Sequence, residues 1–232
     1  MKFELCTDSL EGAELAGQYG FTTIELCAAL SVGGLTPNFG LIKLCAERSV
    51  ARVQVMIRHK EGCFQATEND IKIMATDIKG AQKAGADGVV FGILNDQNEL
   101  DDANKELVIL AHDLGLRTTF HRAFDFVPDF KAAMRKVEAF GFDRLLTSGL
   151  QPTAEEGIDV IAQIEELYGG SIEIIAGSGI HSGNALDFFN AGIRHLHFTA
   201  RKASSDALKM DMGQTMVTDI DKIQAILNLP FD

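Results

Sequence analysis

The chain has 232 residues, 46% of them hydrophobic and 7% aromatic, enough to bury the core of one large α/β barrel or of two modest domains. Lys plus Arg total 21 against 33 for Asp plus Glu, a formal net charge of -12 whose field repels polyphosphate, so neither nucleic acid nor an acidic membrane surface is an expected partner. No apolar run reaches about 18 residues, the start Met1-Lys2-Phe3-Glu4 lacks a basic region with a hydrophobic segment behind it, and the cysteines (Cys6, Cys27, Cys45, Cys63) form no Cys-x-x-Cys pair; a cytoplasmic protein with reduced thiols is expected.

In chain order, β-rich runs are predicted at 2–6, 22–27, 52–58, 87–92, 116–121, 143–148, 171–176 and 194–198, with amphipathic helical stretches between them. Thr36-Pro37 reads as an N-cap and first helical position for a helix reaching Arg48, and Thr153 with Glu156 reads as a capping box. Gly20, Gly85, Gly115, Gly141 and Gly192 fall where helices stop before the next strand. The weakly periodic stretch 201–217 is expected to be a long loop, followed by a short helix over 219–227. Eight βα units without a linker predict a single (β/α)₈ (TIM) barrel spanning 1–232; a doubly wound sheet is the alternative, but Cys6-Thr7-Asp8-Ser9 stands where its Gly-rich phosphate turn would follow the first strand.

Barrels carry their chemistry at the C-terminal strand ends, so those ends are the candidate site. The first two strands both finish in Glu-Leu-Cys, which puts Glu4 beside Cys6 and Glu25 beside Cys27 on one face each. Adjacent strands lie about 4.8 Å apart, so the two thiols can share one soft ion such as Cu(I), with Cys63 swinging in from the loop after strand three; the alternative is that each is a small buried hydrophobe. Arg58 and Arg122 suit a bidentate grip on an anion, or ion pairs with Glu4, Glu25 or Asp125. The turns Thr147-Ser148-Gly149 and Gly177-Ser178-Gly179 offer backbone N–H groups to phosphate or carboxylate, unless the glycines only permit tight turns. His121 is a candidate acid/base or metal ligand or a satisfied structural histidine, while His195 and His197 share a face that equally fits stabilising the barrel bottom or turning toward the helices.

These blocks resemble the CutC copper-homeostasis family over nearly the whole chain. The resemblance rests on Glu25-Leu26-Cys27-Ala28-Ala29-Leu30 with Gly33-Gly34-Leu35-Thr36-Pro37, on Val55-Met56-Ile57-Arg58, on 85–92, on Thr119-Phe120-His121-Arg122-Ala123-Phe124-Asp125, and on Leu146-Thr147-Ser148-Gly149. It implies a single (β/α)₈ barrel, a cytoplasmic location, a homo-oligomer (dimer or tetramer) and a part in copper handling. The family's usual Pro-Arg-Gly-Gly-Asp-Phe after Ile-Arg is replaced by His59-Lys60-Glu61-Gly62-Cys63-Phe64, which removes an aspartate and brings Cys63 forward as a thiol. Two functions are therefore expected to compete. One is Cu(I) binding through Cys6 and Cys27, with Cys63 or His121 as further ligands. The other is an isomerase- or lyase-like enzyme without an organic cofactor, in which Glu4 or Glu25 and His121 move a proton. There Arg58, Arg122, Ser148, Gly149, Gly177, Ser178 and Gly179 would hold a small anionic or phosphorylated metabolite.

Overall fold

The computed structural model describes residues 1–205 and 214–231. Eight parallel strands close on themselves in sequence order: β1 (Lys2–Thr7), β2 (Thr23–Leu26), β3 (Arg52–Met56), β4 (Gly88–Phe91), β5 (Arg117–Phe120), β6 (Arg144–Thr147), β7 (Glu173–Gly177) and β8 (His195–Thr199). This is the (β/α)₈ barrel that the spacing predicts, and each predicted strand coincides with an observed one to within two residues at either end. Around it run α1 (Leu10–Gln18), α2 (Phe39–Arg48), α3 (Glu68–Ala84), α4 (Ala103–Asp113), α5 (Phe130–Phe140), α6 (Ile158–Tyr168), α7 (Ala185–Asn190) and α8 (Ile220–Leu227). Their apolar stripes and the outward strand residues form one continuous core, which includes Leu5, Ile24, Val55, Val89, Phe120, Leu145 and Ile174.

The helix punctuation is partly as read. Gly85 and Gly141 end α3 and α5 in the left-handed conformation, φ +97° and +88°, which favours a residue without Cβ. Thr36-Pro37, in contrast, does not cap α2. Asn38 does, accepting from the Leu41 N–H at 3.0 Å, while Thr36 exchanges hydrogen bonds of 2.9 Å with the Arg58 backbone and so lengthens the end of β3. Thr153 accepts from the Glu156 N–H at 3.4 Å, but this turn precedes the helix rather than opening it: Gly157 packs against the Ser148-Gly149 backbone, and α6 starts only at Ile158. The expected loop over 201–217 contains a short antiparallel pair, β9 (Arg201–Ala203) with β10 (Met216–Thr218); its centre, 206–213, lies outside the described residues.

Strand register places the site. On β1, Cys6 stands opposite Glu25 of β2, and Glu4 stands opposite His197 of β8. In-register neighbours share a face, so these four side chains point together into the barrel, where all are buried.

Candidate functional site at the barrel mouth

A cavity of about 460 Å³ opens at the C-terminal strand ends. Cys6, Glu25 and His197 line it from β1, β2 and β8; Met56 and Arg58 from the end of β3; His121 and Arg122 from the end of β5; and Ser178, Gly179 and Ile180 from the turn after β7. Leu30, Phe64, Phe126, Leu146 and Phe198 supply apolar surface.

At its floor, Cys6 Sγ and Cys27 Sγ lie 3.4 and 3.6 Å from Glu25 Oε2, and the three donor atoms fall within 4.8 Å of one another. Cys6, Cys27, Met56 and Val90 form a small cluster of their own, with Leu30 packed on it. The Cys27 thiol, by donating to the Cys6 sulfur, draws the Cys6 thiol well down against the cost of burial, with help from His197. The same hydrogen bond, with burial and the nearby Glu25, pushes Cys27 up. Burial raises Glu25 to about 8, and its Oε1 is buried without a hydrogen-bond partner among the described residues.

Below the thiols the barrel axis is filled by charge. His197 bridges Glu4 Oε1 at 3.0 Å and Glu25 Oε2 at 3.7 Å; burial opposes its charge, but Glu25, Cys6 and Glu4 together hold it well above an ordinary histidine. Arg144, wholly buried, donates to Glu4 Oε2 at 2.5 Å and to Thr119 at 3.3 Å. Its Nε lies 3.3 Å from Glu173 Oε2 without the alignment of a hydrogen bond, so the contact is an ion pair only. Glu173 in turn meets Lys2 at 2.8 Å, Arg117 at 3.3 Å and His195 at 3.2 Å. Burial would raise Glu4, yet Arg144 and His197 hold its carboxyl well below the usual range. Glu4 is thus withdrawn from the mouth that the sequence assigned it.

The other predicted residues separate into groups. His121 is buried at the cavity wall, where burial, then Arg58 and Arg122, lower it to about 3 and keep the ring neutral. Its Nδ1 accepts from the Ala123 N–H at 3.2 Å, which places the ring proton on Nε2. Arg58 ties loops together: Nη1 donates to Val32 O (2.9 Å) and Gly34 O (3.0 Å), and Nη2 to Gly62 O (3.1 Å). Arg122 donates through Nε to Asp125 (2.8 Å) and through Nη2 to Ser148 (2.9 Å), which leaves Nη1 without an acceptor among the described residues.

The Ser148-Gly149 turn already holds an anion, the chain's own Asp125. The Ser148 N–H donates to that carboxylate at 2.9 Å, and the Gly149 N–H to Thr147 Oγ1 at 2.9 Å, so neither amide is available to a ligand. Gly177 serves packing, since a Cβ there would stand 2.7 Å from Leu146 Cδ1. Ser178 and Gly179 differ: with φ of +94° and +75° they turn the chain so that the N–H groups of Ser178, Gly179 and Ile180 meet no acceptor among the described residues. Cys63 is exposed and lines a separate recess with His59, Gln65 and Asp70, so the third donor beside the two thiols is Glu25, not Cys63. Sequence reasoning missed Arg144 and Met56 and placed His197 low; an arginine inside an apolar strand run was the available signal, because a buried cation requires partners.

The CutC family model matches residues 1–202. A CutC protein of Glaesserella parasuis is 40% identical over 98% of both chains, and one of Photobacterium profundum is 37% identical, again over 98% of both. Among solved structures, a candidate copper homeostasis protein CutC from Streptococcus agalactiae superposes with a TM-score of 0.79 at 31% identity, covering 85% of this chain and 97% of that one. A thiamine phosphate pyrophosphorylase from Pyrococcus furiosus, at 17% identity and a TM-score of 0.59 over 86% of this chain and 85% of that one, shares the barrel alone. Profile, near full-length relatives and fold agree, and the chain belongs to the CutC family.

Proposed function

We propose that this protein binds Cu(I) through Cys6 and Cys27, and that copper handling is its role. One observation carries the reading: two thiols and a carboxylate, all buried, within 4.8 Å of one another, with Cys6 and Glu25 lining the mouth cavity and Cys27 behind them. Metal–thiolate bonds of about 2.3 Å let two sulfurs straddle one ion at separations up to about 4.6 Å. Soft sulfur donors favour Cu(I) over hard oxygen-seeking ions, and the Met56 thioether belongs to the same cluster. The orphaned Glu25 Oε1 fits a site with room for one further ligand. Cys6, its thiol drawn down, would ligate as a thiolate, and Cys27 would release its proton to solvent on ligation.

An anaerobic Cu(I) competition titration against a chelator tests this. Wild type is expected to bind one equivalent tightly, and Cys6→Ser/Cys27→Ser to lose that binding. Weak binding, or binding indifferent to the double variant, removes copper as the primary ligand. The same reading carries a cytoplasmic location and a homo-oligomer, the latter read by size-exclusion chromatography with light scattering.

A second reading, acid–base chemistry on a small anion, is favoured by the cavity itself, whose wall carries Arg122 and the unpaired amides of the β7 turn. Glu25, raised to about 8, would be its proton donor at neutral pH.

A further inference from the structure

We infer that the mouth cavity is a binding site for a small phosphomonoester with an apolar body, its phosphate held between the Ser178–Ile180 amides and Arg122. The inference deepens the second reading by naming its ligand class. It rests on the cavity wall and not on the thiols.

A buried backbone N–H that meets no acceptor is rare in folded proteins and calls for an occupant; Ile180, 7% exposed, carries one, beside the half-buried Ser178 and the exposed Gly179. Here three in succession, Ser178, Gly179 and Ile180, edge one cavity. Consecutive amides in a turn at positive φ form a concave donor set suited to a tetrahedral oxyanion. Arg122, from the end of β5, brings the charge. Asp125 and Ser148 fix its Nε and Nη2 and leave Nη1 to act at the cavity.

A second, independent observation points the same way. His121 is only 4% exposed, is held neutral with its proton on Nε2, and that nitrogen has no partner among the described residues although the ring lines the cavity. A buried neutral imidazole presenting N–H is a donor, and donors converge where an acceptor binds. The contrast with the turn after β6 sharpens the assignment. That turn has comparable amides, but Asp125 and Thr147 consume them. The β7 turn is the one left open.

The rest of the cavity describes the body of the ligand. Leu30, Phe64, Phe126 and Phe198 line it, and about 460 Å³ accommodates a group the size of a phenyl or short branched chain beside the phosphate. A carboxylate offers two coplanar oxygens to the same donors, so it would engage fewer of them than a phosphate does.

The test is amide NMR of the metal-free, reduced protein titrated with phenyl phosphate, inorganic phosphate and benzoate. Phenyl phosphate is expected to shift the Ser178, Gly179 and Ile180 amide resonances saturably. Inorganic phosphate should shift the same amides more weakly, and benzoate least. Arg122→Gln should weaken phenyl phosphate at least about tenfold, with Arg122→Lys intermediate. Absence of saturable shifts at those three amides in the wild type overturns the inference, whatever the variants do. Benzoate binding as tightly as phenyl phosphate, or an Arg122→Gln protein binding it undiminished, overturns the phosphate assignment. Copper loading and this readout are separate measurements, so either proposal can fail while the other stands.

Discussion

Glu25 is the residue whose ionisation most constrains the site. Unfolded, a glutamate titrates near 4.3, whereas burial holds this one near 8, so between those values the fold keeps a proton that the unfolded chain has lost, and stability falls as pH rises. His197 acts in the same direction: held above its unfolded value of about 6.5, it contributes fully below that pH and loses its contribution as pH climbs through the folded value. Glu4 is the opposite case, contributing above about 4.3 and losing its contribution as pH drops through its lowered folded value. From these three groups the urea midpoint is therefore expected to peak at about pH 4 to 5, and Glu25→Gln to flatten the decline between about pH 5 and pH 8. Arg144→Met leaves the buried Glu4 with His197 as its ion-pair partner and should cost about 3 kcal/mol by urea denaturation, with Glu4→Leu added in the same chain restoring part of it. Of these residues, Glu25, Cys6 and Cys27 were legible because strand periodicity alone puts them on one face. Arg144 and His197 were not, because their partner Glu4 lies 140 and 193 positions away in sequence, and only closure of the barrel brings them together.

At the scale of elements, the strands were legible as short apolar runs, and at Gly20, Gly85, Gly115, Gly141 and Gly192 a glycine where a helix stops adds a second signal that agrees. The caps were less so. Thr36 has the right chemistry for capping but is claimed by the Arg58 backbone; Thr153 does accept from the Glu156 N–H, yet Gly157 packs against the Ser148-Gly149 backbone and α6 opens only after it. α3 shows an undisturbed cap: Thr67 and Asp70 form a reciprocal box, and Asp70 also accepts from Lys60 at 2.6 Å, anchoring the loop that carries Phe64 to the cavity. Thr67→Ala is expected to cost about 1 kcal/mol in chemical denaturation and to speed hydrogen exchange over residues 59–65. The two amide-bearing turns looked alike in sequence. Whether such a turn is filled or open depends on a carboxylate delivered by another strand, as Asp125 is to the β6 turn, and no local pattern reveals that.

On the scale of the whole molecule, the segment after α8 belongs to the fold. Phe231 meets Phe3 at 5.4 Å and Phe189 at 5.8 Å, and Phe3 continues the aromatic contacts to Phe21 and Phe198. Phe231→Ala should lower stability by about 1–3 kcal/mol, less than for a fully buried ring, and leave Cu(I) binding at the mouth unchanged in the chelator titration. The barrel architecture and the family were legible from the sequence, since eight alternating units leave few ways to close; what lies along the axis was not. That axis is an unbroken row from Lys2 and Glu173 through Arg144, Glu4, His197 and Glu25 to Cys6. The row behaves like beads on a short wire. Its middle, from Arg144 to Glu25, is buried, while Lys2 at one end and Cys6 at the mouth cavity meet solvent, so a change of charge at either end acts on the other through a poorly screened interior. The two faces of this barrel are joined electrically by that row.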